Sequence, residues 1–482
     1  MQNRIIFKVI STGLFFLMSI VLGILVPRAI GPASYGVFSY IVATYAFLFH
    51  FFILTTRVAY IYFLSNGKHK IEDINTFYLL FLTIISVLVI IVWFISVNSE
   101  FGIKYLWNGL ENEQLIFLGL ILVIFSTFQS ILIQYSDSTS QTVRSEKIRL
   151  ISRFLMLLSV VTFIFFGALN VSLFFILSIA NVTLFLLLYI KYVNFKFSNL
   201  NIKKIKYIYV DFYIYLKPLV IFSLIATIYD YLGKYVLQTS SGSVEQGYFN
   251  FALQMALIPV IFISSLMAIY ISETTKKFKD NDIESVRDIF LNNIFKTYAL
   301  HAFISLFMVI NAKEIILLTV GESFNGAIGA LQVLSIFSLL HTFGMLSGNL
   351  FFSSGRNKQY GVINSIPMIL GIFCMMYFLF YGSLNSTGLA LLMAIFYMIR
   401  VVIQLYMNLI YLSIGRVKFI SELFLVTLIV FSSLKIINIM SFNLLINLIL
   451  SVTTMLSINF IFKDYMKLKM LSVTLKKMIS QP

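Results

Sequence analysis

Cysteine is almost missing. The single one, Cys374, sits in an apolar run, so a disulfide framework and a thiolate metal site are both excluded. Charge is scarce as well: 11% of the 482 residues are Asp, Glu, Lys or Arg, against 60% hydrophobic. A soluble protein of this length needs a charged surface that this chain does not have. Alternating strand patterns are missing, which leaves helices as the structures able to satisfy their backbone in lipid. The first apolar run has a basic flank (Arg4, Lys8) but no small-x-small cleavage site, so it reads as a retained helix. A large external loop is also lacking. The longest segments assigned outside, 98–114 and 312–326, are too short for an external catalytic domain.

What is present is apolar sequence in spanning lengths. Fourteen runs can cross about 30 Å of hydrocarbon: 5–26, 35–56, 76–97, 115–134, 150–167, 172–192, 217–237, 248–270, 294–311, 327–350, 361–381, 389–412, 419–438 and 444–462. The expected class is an all-α polytopic membrane protein with about fourteen transmembrane helices. With the N-terminus inside, 29 of the 35 basic residues fall on inside segments or inside span ends, Arg57, Arg149 and Arg153 among them. Only Arg28, Lys104, Lys313 and Lys435 lie outside, and Lys234 and Arg400 remain within spans. That bias predicts cytoplasmic termini. The net charge of +16 is then mostly an orientation signal and does not point to nucleic acid. The basic tail and the loop "NLNIKKIKY" would rest against anionic membrane lipids.

The chain repeats itself. "GPASYGVFSY" (31–40) follows the first run and "GSVEQGYFNF" (242–251) follows the seventh, an offset of 211 that also carries runs 3, 5 and 6 onto or near runs 9, 11 and 12. Two six-helix lobes of equal orientation follow, 1–192 and 217–412, around a central cavity. A cytoplasmic linker, 193–216, joins them, and two extra helices (413–462) and a basic tail (463–482) are appended. The G-x4-G spacing resembles a phosphate-binding loop but lacks the Lys-Ser/Thr that would follow, so nucleotide binding is not expected.

Polar residues fall on stripes. Ser223, Thr227, Asp230, Lys234 and Gln238 share one face of run 7 at helical spacing. Run 1 carries Lys8, Thr12, Ser19 and Gly23, and run 2 carries Ser39, Ala43, Ala46 and His50, ending at Arg57. Run 8 begins with Asn250 and Gln254, and Arg400, Gln404 and Asn408 line run 12. Lipid penalises such stripes, so they are expected to face protein or water. The candidate cavity residues are Arg28, Arg57, Asp230, Lys234, Arg400, His50, Ser39, Asn250 and Gln254. Cations dominate this set, which suits an anionic ligand, and arginine suits phosphate. Each has a plainer reading: Asp230 and Lys234 as a pair along one helix, Arg400 as a buried anchor, His50 as a packed polar residue, Arg28 and Arg57 as snorkelling side chains.

With these residues in view, the chain resembles the polysaccharide flippases of the multidrug/oligosaccharidyl-lipid/polysaccharide exporter superfamily. "PRAIGPASYGVFSYIVA" looks like the family's motif after helix 1. "LKPLVIFSLIATIYDYLGKYVL" resembles its helix 7, and "VEQGYFNFALQM", "GESFNGAIGALQVLSI" and "FSSGRNK" are similar to later segments. One departure is that the basic residue after Asp230 stands four positions on, at Lys234. The resemblance implies a multi-pass protein of the bacterial inner membrane. It would move undecaprenyl-diphosphate-linked oligosaccharide, an O-antigen or capsule repeat unit, from the cytoplasmic to the periplasmic leaflet by alternating access. It would need no cofactor, would draw on a proton or sodium gradient, and would work beside a polysaccharide polymerase and a chain-length regulator. The competing readings are a multidrug/cation antiporter of the same superfamily, for which an acidic cavity is expected, a lipid II flippase, and a membrane glycosyltransferase or polymerase.

Overall fold

The structure is a computed structural model that describes residues 2–66, 68–198, 202–217 and 220–439. Run 14 and the basic tail lie outside the described residues. Within them the chain is helical throughout, with no strand. The helices are α1 (Gln2–Ile53), α2 (Thr56–Asn66), α3 (Ile71–Val97), α4 (Glu100–Tyr105), α5 (Glu113–Ser138), α6 (Thr142–Phe165), α7 (Val171–Tyr192) and α8 (Ile202–Leu216). Then follow α9 (Val220–Ala256), α10 (Ile258–Lys279), α11 (Ile283–Ile310), α12 (Ala312–Thr319), α13 (Ala327–Ser353), α14 (Asn357–Tyr381), α15 (Ser386–Tyr411) and α16 (Arg416–Ile439).

Eleven helical stretches are long and apolar enough to span a membrane. Two of them, Ile10–Ile53 and Val220–Val260, are long enough for two passes each, which accounts for the thirteen apolar runs that fall on described residues. The sequence pattern predicts a turn of about eight residues between runs 1 and 2. The chain instead passes from one helical half of α1 to the other at a single residue, Gly31, with φ +79° and ψ 167°. Only glycine takes that backbone freely, and Pro32 then opens the second half, where its missing N–H would have had no partner. α9 breaks in the same way at Gly242, with φ +77° and ψ −172°. The two breaks are 211 residues apart, as the repeat requires.

Other segments expected as loops are helical. The linker 193–216 contains α8, an amphipathic helix whose Ile208, Phe212 and Leu216 are buried while Tyr207, Tyr209 and Tyr213 are exposed. The apolar face of α8 gives it a reason to fold that its basic residues do not reveal. α2, α4 and α12 are likewise short helices in segments read as connections. Polar caps start several elements: Ser99 accepts from Gly102 N (3.0 Å), Asn112 from Leu115 N (3.1 Å) and Asn170 from Leu173 N (2.8 Å).

By mutual contact the described chain divides into two compact units. One comprises the residues up to Met255 with Ile316–Ala330 and Asn364–Leu392; the other comprises Ala256–Ile315, Leu331–Ile363 and the described residues from Met393 on. The first is packed around Ile41, Tyr45, Tyr60, Tyr78, Trp107, Phe175, Phe185 and Tyr189, all fully buried. Two of its aromatic polar atoms are tied within it: Tyr60 donates to Asn75 Oδ1 (2.9 Å) and Trp107 Nε1 to Ser96 Oγ (3.0 Å). In the second, Arg356 donates to Asn408 Oδ1 (2.7 Å) and stacks on Tyr411 (3.7 Å), and Asn408 donates to Ser347 Oγ (2.7 Å). In both units many large apolar side chains are exposed, as helices facing hydrocarbon require.

Candidate functional site

The first unit encloses a cavity of about 760 Å³ among α1, α2, α5, α6 and α7. Its charged lining is Arg57, Arg149 and Arg153, with His50 beside them, and no Asp or Glu among the described residues lines it. Arg57, on the first turn of α2, donates to Ser130 Oγ of α5. Arg149 and Arg153 stand one turn apart on α6 and so point to one side. Arg149 Nη2 reaches Thr12 Oγ1 (3.3 Å) and Arg153 Nη2 reaches Ser19 Oγ (3.0 Å). The ring of Phe15 lies beneath both guanidiniums, at 4.4 Å from Arg149 and 5.2 Å from Arg153.

The polar stripe of run 1 thereby gains partners. Lys8 pairs with Asp137, Thr12 and Ser19 hold the two arginines, and Gly23 faces Gln254. The sequence reading had Arg149 and Arg153 as orientation residues at a span end. The available signal was their i, i+4 spacing at the head of an apolar run. The Nε atoms of Arg149 and Arg153 are buried with no protein acceptor. Three cations without a lining carboxylate, two of them with unmet donors, make a place where an anion is stabilised.

The other candidates fall in different places. Ser39, Asn250 and Gln254 belong to a crossing of the two breaks. Asn250 Nδ2 donates to Ser39 Oγ (2.9 Å), and Tyr35 donates to Gln254 Oε1 (2.9 Å). A Cβ on Gly36 would overlap the Ser243 carbonyl, and one on Gly247 would overlap the Pro32 carbonyl. On α9, Asp230 is exposed and Lys234 is partly buried one turn on, and the two interact electrostatically. The adjoining Tyr231 stacks on Phe47 at 4.3 Å and bonds Thr44 Oγ1 at 3.2 Å. Arg28 is exposed, with Nη1 3.5 Å from Leu318 O. Arg400 lies in the second unit, stacked at 4.4 Å on Tyr397, whose ring also meets those of Phe337 at 4.9 Å and His341 at 5.3 Å. Of the nine candidates, the cavity in the first unit brings together His50 and Arg57, and it adds Arg149 and Arg153.

Neither a protein-family model nor a curated protein sequence matches the chain. Solved structures do. A lipid II flippase, MurJ, in an inward closed conformation aligns over 96% of this chain and 99% of its own, with TM-score 0.73 and 16% identity. An inward-facing multidrug resistance MATE family transporter aligns over 83% of this chain and 94% of its own, with TM-score 0.63 and 17% identity. An outward-facing MATE transporter aligns over 85% and 95%, with TM-score 0.56 and 16% identity. The chain therefore has the all-helical membrane fold of these solved structures.

Proposed function

We propose that this chain is a flippase that carries a polyprenyl-diphosphate-linked oligosaccharide, an O-antigen or capsule repeat unit, from the cytoplasmic to the periplasmic leaflet of a bacterial inner membrane by alternating access. One observation carries the reading: the cavity lining holds Arg57, Arg149 and Arg153 and no carboxylate. A diphosphate brings two or more negative charges. Guanidinium forks meet its oxygens in pairs, and a low-dielectric wall strengthens the attraction. Stacking on Phe15 holds two of those forks in place before ligand arrives, which lowers the ordering cost of binding. The sugar head would occupy the aqueous volume while the prenyl tail stays in lipid. Both termini are cytoplasmic in this reading, a proton or sodium gradient drives the cycle, and the polymerase and chain-length regulator act on the product.

A cation antiporter needs acidic groups where the cavity presents arginine, and this lining counts against it. A lipid II flippase shares the diphosphate chemistry and remains the second reading, supported by the likeness to MurJ. The test is surface polysaccharide in cells carrying Arg57→Gln, Arg149→Gln or Arg153→Gln, together with binding of a short-chain isoprenyl diphosphate to the purified protein. Losing one charge-assisted phosphate contact of about 1.5–3 kcal/mol weakens binding roughly 10- to 100-fold. Export and binding at wild-type levels in all three variants refute the proposal. Loss of cell-wall synthesis rather than of surface polysaccharide selects the lipid II reading.

A further inference from the structure

Just outside the cavity lining stands an acid that the transport reading has not used. The side chain of Glu146, on the first turns of α6, is 1% exposed. Its Oε2 lies 2.7 Å from Arg149 Nη2 without the alignment of a hydrogen bond. Buried carboxylates are retained only when paired, so Arg149 is what holds this one charged. Arg149 also lines the cavity. One guanidinium is thus shared between a resident carboxylate and whatever anion enters.

The surroundings of Glu146 are few and can be named. α1 contributes Lys8, and α5 contributes Asp137, which is itself paired with Lys8. α6 contributes Arg149, with Arg153 one turn further in. The single charged residue of α7, Lys191, is exposed, at the end of that helix that meets the start of α6 through the Gln141–Asn194 bonds. Lys8 acts on Glu146 from a distance while paired with Asp137, so when Arg149 turns to another anion Glu146 loses its one directly contacting cation among the described residues. A buried carboxylate in that position is neutralised by a proton.

Building on the anionic-substrate reading above, we propose that Glu146 is the resident counter-anion of Arg149, that a phosphate group entering the cavity displaces it, and that substrate binding therefore takes up one proton from water onto the Glu146 carboxylate. No covalent bond changes. Reciprocity then requires that protonation strengthen substrate binding by the same factor by which substrate strengthens protonation. The empty cavity would keep its arginine occupied, and the loaded one would carry an extra proton.

The experiment uses the purified full chain in detergent. A short-chain isoprenyl diphosphate is added in weak buffer while an indicator dye reports proton release or uptake. A long-chain disulfonate, whose charge does not titrate, serves as second probe. The expected result is uptake approaching one proton per bound probe in the wild type and none in Glu146→Gln, which still binds. Over the pH range in which the carboxyl titrates, wild-type affinity for the disulfonate should strengthen by up to about tenfold per pH unit as pH falls, and the Gln variant should show a flat profile. Glu146→Asp should keep the uptake. Equal uptake in wild type and Glu146→Gln, or a wild-type disulfonate affinity independent of pH, overturns the proposal, and the latter needs no variant to fold. Failure of both probes to bind the wild type sinks the anionic-substrate reading, and this proposal with it. Binding without proton uptake sinks this proposal alone.

Discussion

Substituting alanine at Gly36 should loosen the whole first unit, because the added atom meets backbone and no rotamer can move aside. A Cβ there would stand 2.7 Å from the Ser243 carbonyl carbon and 2.9 Å from Gly247 N, in addition to overlapping the Ser243 oxygen. Ordinary carbon contacts are about 3.5–4.0 Å, so the two backbone segments must separate by more than about 1 Å. The Asn250–Ser39 bond, 2.9 Å long, would then stretch past about 3.9 Å and be lost. Overpacking of this kind costs about 1–3 kcal/mol and the bond about 1 kcal/mol, together about 3 kcal/mol. For a unit of about 300 residues that is a fall in Tm of about 6 °C. Gly247→Ala, which meets Pro32, should behave alike, and the double variant should fall short of the sum because both open one crossing. Gly361→Ala is the control: a Cβ there meets nothing within 4 Å, and a helical glycine replaced by alanine should be neutral or slightly stabilising. Thermal unfolding of the four purified variants in one detergent decides the matter. If Gly36→Ala and Gly247→Ala melt with Gly361→Ala, the close crossing is not there.

Two further outcomes follow from the aqueous ends of the helices. Asp211 of α8 accepts from Lys68 Nζ (2.8 Å) and His69 Nε2 (2.8 Å). Burial pushes its carboxyl up, but the hydrogen bonds and charges of Lys68 and His69 together hold it below the usual carboxylate range. Asp211→Asn should free α8 from the α2–α3 connection, and hydrogen exchange across Ile202–Leu216 should run about tenfold faster; unchanged protection would mean that the apolar face alone holds α8. Asp282 caps α11, and its carboxyl is held down to about 2 by the Ser285 hydroxyl, the Ser285 N–H and Lys277. A depressed carboxylate stabilises above its unfolded pKa of about 3.9 and loses that contribution as pH falls through about 2. The first turn of α11 should therefore fray between about pH 4 and pH 2, after correction for intrinsic exchange, and Asp282→Asn should abolish that pH dependence. A wild-type profile flat over that range would refute the cap.

How much could be read beforehand depended on whether a residue's role was local. Gly31 and Gly242 head the two copies of the repeat, and a positive φ is a property of one residue, so the repeat marked where both breaks fall. The thirteen apolar runs on described residues were legible for the same reason, since apolar length is local. The eight-residue turn was misjudged because a single glycine suffices where the next residue, Pro32, is already shaped for a helix start. Arg149 and Arg153 were passed over because a span-end position explained them adequately. What distinguishes them is Phe15, more than 130 residues away in sequence and directly beneath them in space. The stripe Lys8–Thr12–Ser19 was recognised as polar, but a stripe does not name its partner. α8 was hidden because its lysines dominate a reading by charge, while Ile208, Phe212 and Leu216 decide where it packs.

The crossing of the two broken helices has a meaning beyond stability. Gly36 meets Ser243, the counterpart of Pro32, and Gly247, the counterpart of Gly36, meets Pro32 in return. Ser39 bonds Asn250, its own counterpart. Residue i touching the copy of j while j touches the copy of i is the signature of an isologous contact, the kind by which two identical subunits form a closed dimer. Because both sides of the contact lie in one chain, each can carry its own residue, and here serine faces asparagine. The glycines have no such latitude, because on each side the space they leave is filled by the other half's backbone.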